Sequence, residues 1–126
     1  MKINEDSFQI KYIFPFTSVT KRMGIVLYEK ASDKYFLFVK GADTIISKLL
    51  IQPYGWLQEK VDQLSCDGLR TLVFAYKELP REAFESFETA YHEASCAIVG
   101  REQKQFEVEN KLFKQLFLLG ITGVED

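Results

Sequence analysis

Apolar and polar side chains alternate near the start of the chain. Phe8, Ile10, Tyr12, Phe14 and Phe16 recur every second residue, the period of a strand with one buried face. Pro15 cannot donate to a ladder, so this strand lies at a sheet edge or ends there. Two further apolar runs, Met23 to Tyr28 and Tyr35 to Val39, flank the turn-like EKASDK and predict an antiparallel hairpin. A consecutive three-stranded meander is the simplest assembly. After Gly41 the period changes. Ala42, Ile45, Ile46, Leu49 and Leu50 follow helical spacing until Pro53 and Gly55 interrupt it. Trp56, Leu57, Val61 and Leu64 mark a second helix, ended at Asp67-Gly68 with Gly68 as a left-handed cap. Leu69 to Tyr76 is the next strand, partly buried on both faces. Phe84, Phe87, Tyr91, Ala94 and Ile98 then trace the core-facing stripe of a long helix. Gly100 breaks it; Val108, Leu112, Phe113 and Leu116 mark another, and residues 116–124 form a closing strand. The pattern predicts one α+β domain over residues 1–126.

Composition removes several function classes. A chain of 126 residues that is 47% hydrophobic and 27% charged is long enough for a single core and ordinary for a globular domain. Its formal charge of -2 supplies no basic field toward nucleic acid. The longest nearly apolar stretch, residues 116–124, is too short to span a bilayer, and the acidic MKINEDSFQI start is unlike a signal peptide. Two cysteines and one histidine argue against a zinc site or a disulfide framework. Cys66 and Cys96 fall in amphipathic helical patterns, and the expectation is reduced core thiols of a cytosolic domain. His92 reads as a surface or packing residue of the long helix, and Glu82, Glu85, Glu88 and Glu93 as its solvated face. The common nucleotide, zinc-protease and serine-hydrolase motifs do not occur.

Three segments carry candidate chemistry. Residues 14–23, FPFTSVTKRM, join an aromatic pair to hydroxyls at Thr17, Ser18 and Thr20 and to the cations Lys21 and Arg22. Aromatic rings stack on bases and cations hold phosphates, although a solvated basic turn has the same composition. In FVKGAD, Lys40 ends a strand that looks buried, where an unpaired cation is costly. Gly41 and Ala42 would let a ligand approach the backbone at the following helix start; the alternative is Lys40 snorkelling to water. In DGLRTL, Arg70 stands one residue into a strand and needs a partner, either a carboxylate or a phosphate or ribose. One sheet could bring Phe16, Lys21, Lys40 and Arg70 into a single pocket.

FTSVTKRM, KGAD, DGLRTLVFAYKELP and the terminal GREQKQFEVENKLFKQLFLLGITGVED, in that order, resemble P-type ATPases, most closely the phospholipid-flippase branch. The resemblance runs from about Phe14 to Asp126. It implies the larger, C-terminal part of the cytosolic nucleotide-binding domain, a twisted antiparallel sheet flanked by helices. It further implies that ATP binds with Phe16 stacked on adenine and Met23 on the adenine side. Lys40, Gly41 and Ala42 would line the deep pocket, with Ser18 and Lys21 near its entrance and Arg70 at the ribose or phosphates. Residues 120–126 would begin the hinge to the phosphorylation domain. Flippases commonly read RKRMS where this chain has TKRMG, which replaces a cation by Thr20 and a hydroxyl by Gly24. The DKTGT, TGES and GDGxNDxxM motifs and all membrane helices are absent, so this chain alone would neither hydrolyse ATP nor move lipid. Mg²⁺ would be held mainly outside it. Its partners would be the phosphorylation and actuator domains of one polypeptide at the cytosolic face of a membrane, the isolated piece being monomeric. Two alternatives stand beside this: a protein-interaction module or degenerate pump domain without nucleotide binding, and a freestanding ATP-binding protein.

Overall fold

The computed structural model describes residues 8–125; the acidic start of the chain and Asp126, the expected hinge residue, lie outside that range. Among the described residues the elements are β1 (Phe8–Phe14), β2 (Arg22–Glu29), β3 (Lys34–Gly41), α1 (Asp43–Ile46), α2 (Gly55–Cys66), β4 (Arg70–Leu79), α3 (Arg81–Ser95), α4 (Arg101–Leu112) and β5 (Phe117–Val124). The strands form one antiparallel sheet whose spatial order is the chain order, β1-β2-β3-β4-β5. An α+β domain with an open antiparallel sheet is therefore the fold.

Strand alternation assigns side chains to two unlike faces. Val26, Leu37, Val39, Val73 and Ala75 point to one side, where they are buried with Ile46 of α1, Leu57 and Val61 of α2, Phe84 and Phe87 of α3 and Leu112 of α4. Ile25, Phe36, Phe38, Phe74 and Tyr76 point to the other, remain half-exposed and lie outside that core cluster. Four aromatic rings run across this second face: Phe36 beside Phe38, Phe38 beside Tyr76, and Tyr76 beside Phe117.

Several sequence expectations are corrected. The alternation from Phe8 to Phe16 does not define one buried face, because the β1–β2 register slips between Ile10 and Tyr12. The bulge turns Tyr12 and Phe14 toward the core and leaves Ile10 on the opposite side. The helix expected from Ala42 to Leu50 is one α turn followed by a 3-10 turn, Ser47–Leu49. Its continuation is tied into the sheet: Leu116 N donates to Leu49 O at 2.9 Å and Ile51 N to Leu116 O at 2.8 Å. α3 stops at Ser95, so Ile98 lies beyond the stripe it was assigned to and is 96% exposed. Phe113 and Leu116 follow α4 rather than belong to it, yet both are fully buried. Cys66 and Cys96 are exposed, not core thiols, since each stands at the outer end of its helix. Gly68 (φ 79°) has the backbone expected of a left-handed cap, and Gly100 (φ 69°) caps the start of α4.

Candidate functional site

The three chemistry-bearing segments meet at one end of the sheet. β2 begins at Arg22, β3 ends at Gly41 and β4 begins at Arg70; the ladders pair Arg22 with Gly41 and Gly41 with Val73. The β1–β2 loop, the β3–α1 junction and the α2–β4 turn therefore open on the same space, a groove of about 910 Å³. That is within the size range of small-molecule sites. Phe16, Ser18 and Lys21 line it from the loop, Met23 from β2, Lys40 and Gly41 from β3, Ala42 from the junction and Arg70 from β4. All eight residues singled out in the sequence are thus brought together. A smaller apolar cavity of about 250 Å³ adjoins the groove on the half-exposed sheet face and shares Met23 and Lys40 with it.

Individual placements differ from expectation in instructive ways. β1 ends at Phe14, so Phe16 sits in the loop at the groove and is 62% exposed. Lys40 and Arg70 are exposed rather than buried, so their charges carry no large desolvation cost. Gly41 was expected to admit a ligand. A Cβ there would instead meet the Lys21 carbonyl oxygen at 2.9 Å and Ile46 Cδ1 at 3.2 Å, so the missing side chain serves the approach of the loop and of α1. A Cβ at Gly24 would come within 2.5 Å of Phe113 Cζ, on the core side. A hydroxyl at that position would press on Phe113 and not reach the groove.

Arg22, named with Lys21 as a loop cation, turns to the opposite face. It is 7% exposed, donates from Nη2 to Asn110 Oδ1 at 2.9 Å, lies 3.8 Å from Glu109 Oε1 and stacks 4.5 Å above the Phe113 ring. Burial lowers its pKa, with Glu109 opposing; burial likewise raises the Glu109 carboxyl, with Arg22 opposing.

Sequence reasoning passed over Asp43 and Thr71, which also line the groove and share a hydrogen bond, Thr71 Oγ1 donating to Asp43 Oδ1 at 3.3 Å. Both belong to the segments already singled out, KGAD and DGLRTL, so their adjacency to Lys40 and Arg70 was the available signal. Three cations face one carboxylate among the described lining residues. This balance suits a polyanionic ligand and, with a single engaged carboxylate, does not suit a resident Mg²⁺.

An open antiparallel sheet with three cationic side chains lining a groove at one end defines a domain of the α+β class. The chain belongs to the family described as P-type ATPase, cytoplasmic domain N, whose model matches residues 55–126, more than half its length. It is 46% identical to "Probable phospholipid-transporting ATPase tat-5" of Caenorhabditis elegans, over 94% of this chain and 11% of that protein. It is 40% identical to "Phospholipid-transporting ATPase NEO1" of Saccharomyces cerevisiae, over 95% of this chain and 10% of that protein. Human "Probable phospholipid-transporting ATPase IIB" is 38% identical over 95% of this chain and 10% of its own length. The chain spans about a tenth of the length of the curated relatives it matches. Among the described residues no helix is long and apolar enough to cross a membrane.

Proposed function

We propose that this chain is the ATP-holding part of a P-type ATPase that transports phospholipid, a cytosolic domain of a membrane-embedded parent. The observation that carries the reading is the convergence of Phe16, Lys21, Lys40 and Arg70 on one groove from separate segments. The exposed Phe16 ring offers a stacking surface for adenine, with Met23 beside it. Lys40, Gly41 and Ala42 line the deep part of the site, Ser18 supplies a hydroxyl at the loop, and Lys21 and Arg70 serve the ribose and phosphates.

The contribution to catalysis is positioning. Phosphoryl transfer needs the γ-phosphate in line with its acceptor, here an aspartate on a separate phosphorylation domain of the same polypeptide, and the groove fixes the other end of the nucleotide. Mg²⁺ belongs with the triphosphate and that other domain, because the one carboxylate among the described lining residues, Asp43, already accepts a hydrogen bond from Thr71 and shares the groove with three cations. Binding to the isolated chain is weak, with a dissociation constant of about 0.1–1 mM from one stacking contact and a few charge-assisted ones.

A two-dimensional NMR titration of the ¹⁵N-labelled chain with ATP, with and without Mg²⁺, tests this. Shifts clustered at Phe16, residues 40–42 and Arg70, saturating near millimolar ATP and nearly indifferent to Mg²⁺, are expected. A folded spectrum that ignores ATP would overturn the reading.

A further inference from the structure

Lys21 and Arg22 are chain neighbours with opposite fates, and Lys21 has a left-handed backbone, φ 53°. A lysine gains nothing from that conformation and keeps it only where its surroundings over-determine it. The constraints are visible on both sides. Upstream, Lys21 N donates to Thr17 O at 2.8 Å, Thr20 N to Thr17 Oγ1 at 2.9 Å, and the two threonine hydroxyls meet at 2.8 Å. Downstream, Arg22 is clamped against α4 by Asn110, Glu109 and the Phe113 ring. Its Nε has no hydrogen-bond partner, so α4 holds the guanidinium through the forked end alone. Across the ladder, Gly41 leaves room for the Lys21 carbonyl.

We propose that Arg22 is a positioning residue: anchored to Asn110 and Glu109 of α4, it forces the reversal at Lys21 that presents the Lys21 ammonium to the groove. The assignment rests on the nucleotide reading of that groove for its effect on ligand, though not for the anchoring itself. It makes α4, which contributes nothing to the groove lining, part of the phosphate end of the site. Lys21 then acts as a cation aimed by the helix behind the sheet, not as a loose charge on a loop.

Asn110→Ala and the double variant Glu109→Gln/Asn110→Ala test this while leaving every groove residue in place. Two readouts separate the anchoring from the ligand. The backbone coupling constant and Cβ shift of Lys21 report its left-handed conformation without nucleotide, and they are expected to move toward averaged values in the double variant. In titrations with ATP and with adenosine, Asn110→Ala is expected to weaken ATP by about 2- to 10-fold, the worth of one hydrogen-bonded contact, and to leave adenosine unchanged. The same loss is expected from Lys21→Ala, and Lys21→Ala/Asn110→Ala is expected to lose no more than Lys21→Ala alone. A folded double variant with an unchanged Lys21 conformation overturns the proposal, as do additive losses of ATP affinity. If the parent chain ignores ATP, the nucleotide reading fails and the Lys21 conformation still decides the anchoring.

Discussion

Both faces of the sheet carry apolar side chains, and they do different work. On the helix side, Val26, Leu37 and Val73 are completely buried and the rings of Tyr35 and Phe84 stack with centroids 3.9 Å apart. On the other, Ile25, Phe38 and Tyr76 stay half-exposed, with the Phe38 and Tyr76 rings side by side across the strands. Stability is concentrated on the first face. The groove draws on the sheet's end and on the second face, where Met23 and Lys40 connect it to the smaller apolar cavity. Substitutions should therefore separate cleanly into those that unfold the domain and those that change what it holds.

The sharpest contrast is between near neighbours on opposite faces. Leu37→Ala empties a fully buried site and is expected to cost about 2–5 kcal/mol in urea denaturation, whereas Ile25→Ala on the other face costs about 1 kcal/mol. Similar losses from both would mean that the faces are energetically alike. Gly24→Ala follows: its methyl would press into Phe113, and overpacking of this kind costs about 1–3 kcal/mol. Phe113→Leu should recover part of that loss in the double variant. Phe16→Ala and Lys40→Ala, at exposed positions, are expected to change stability by about 0.5 kcal/mol or less while weakening ATP binding several-fold in the titration.

The smallest effect is on pH dependence, where two carboxylates act with opposite sign. Burial raises the Glu109 carboxyl, so the folded state holds that proton more firmly than the unfolded chain. Its stabilisation is complete below the ordinary 4.5 and declines as pH rises through the raised folded value. Hydrogen bonds from Tyr28 and Arg81 lower Asp33 at the β2–β3 turn, so its contribution is complete above the ordinary 3.8 and is lost as pH falls through the depressed value. Denaturation curves across pH 3–7 should lose the upper slope in Glu109→Gln and the lower one in Asp33→Asn.

The order and type of the elements were legible because periods of two and of three to four are long enough to recognise in strands β2–β4 and in helices α2 and α3. The bulge in β1 was not, since apolar spacing continues unbroken through Lys11 while the backbone changes face. Ile98 extended a helical stripe by one step past the end of the helix, and nothing in its own spacing marks the stop at Ser95. Phe113 and Leu116 kept helical spacing while being buried by tertiary contacts after α4 had ended. The groove residues were legible as three motifs, and the sheet's end explains why they meet. The left-handed backbone at Lys21 is encoded by no composition or period. Counting back in twos from Val26 through Gly24 does place Arg22 on the core side, and that signal was present in the strand itself.

The sheet's spatial order, identical to its chain order, also bears on how the domain assembles. β1, β2 and β3 are joined by short connections, so their ladders close at little entropic cost. β4 must wait for the closure of the long α1–α2 excursion, and β5 for that of α3 and α4. The transition state for folding is accordingly expected to contain the β2–β3 hairpin and to lack β5, so substitutions in the hairpin slow folding while those in β5 speed unfolding. Because the groove is lined from β2, β3 and β4 together, it is complete only once β4 has docked on the hairpin that carries Met23 and Lys40.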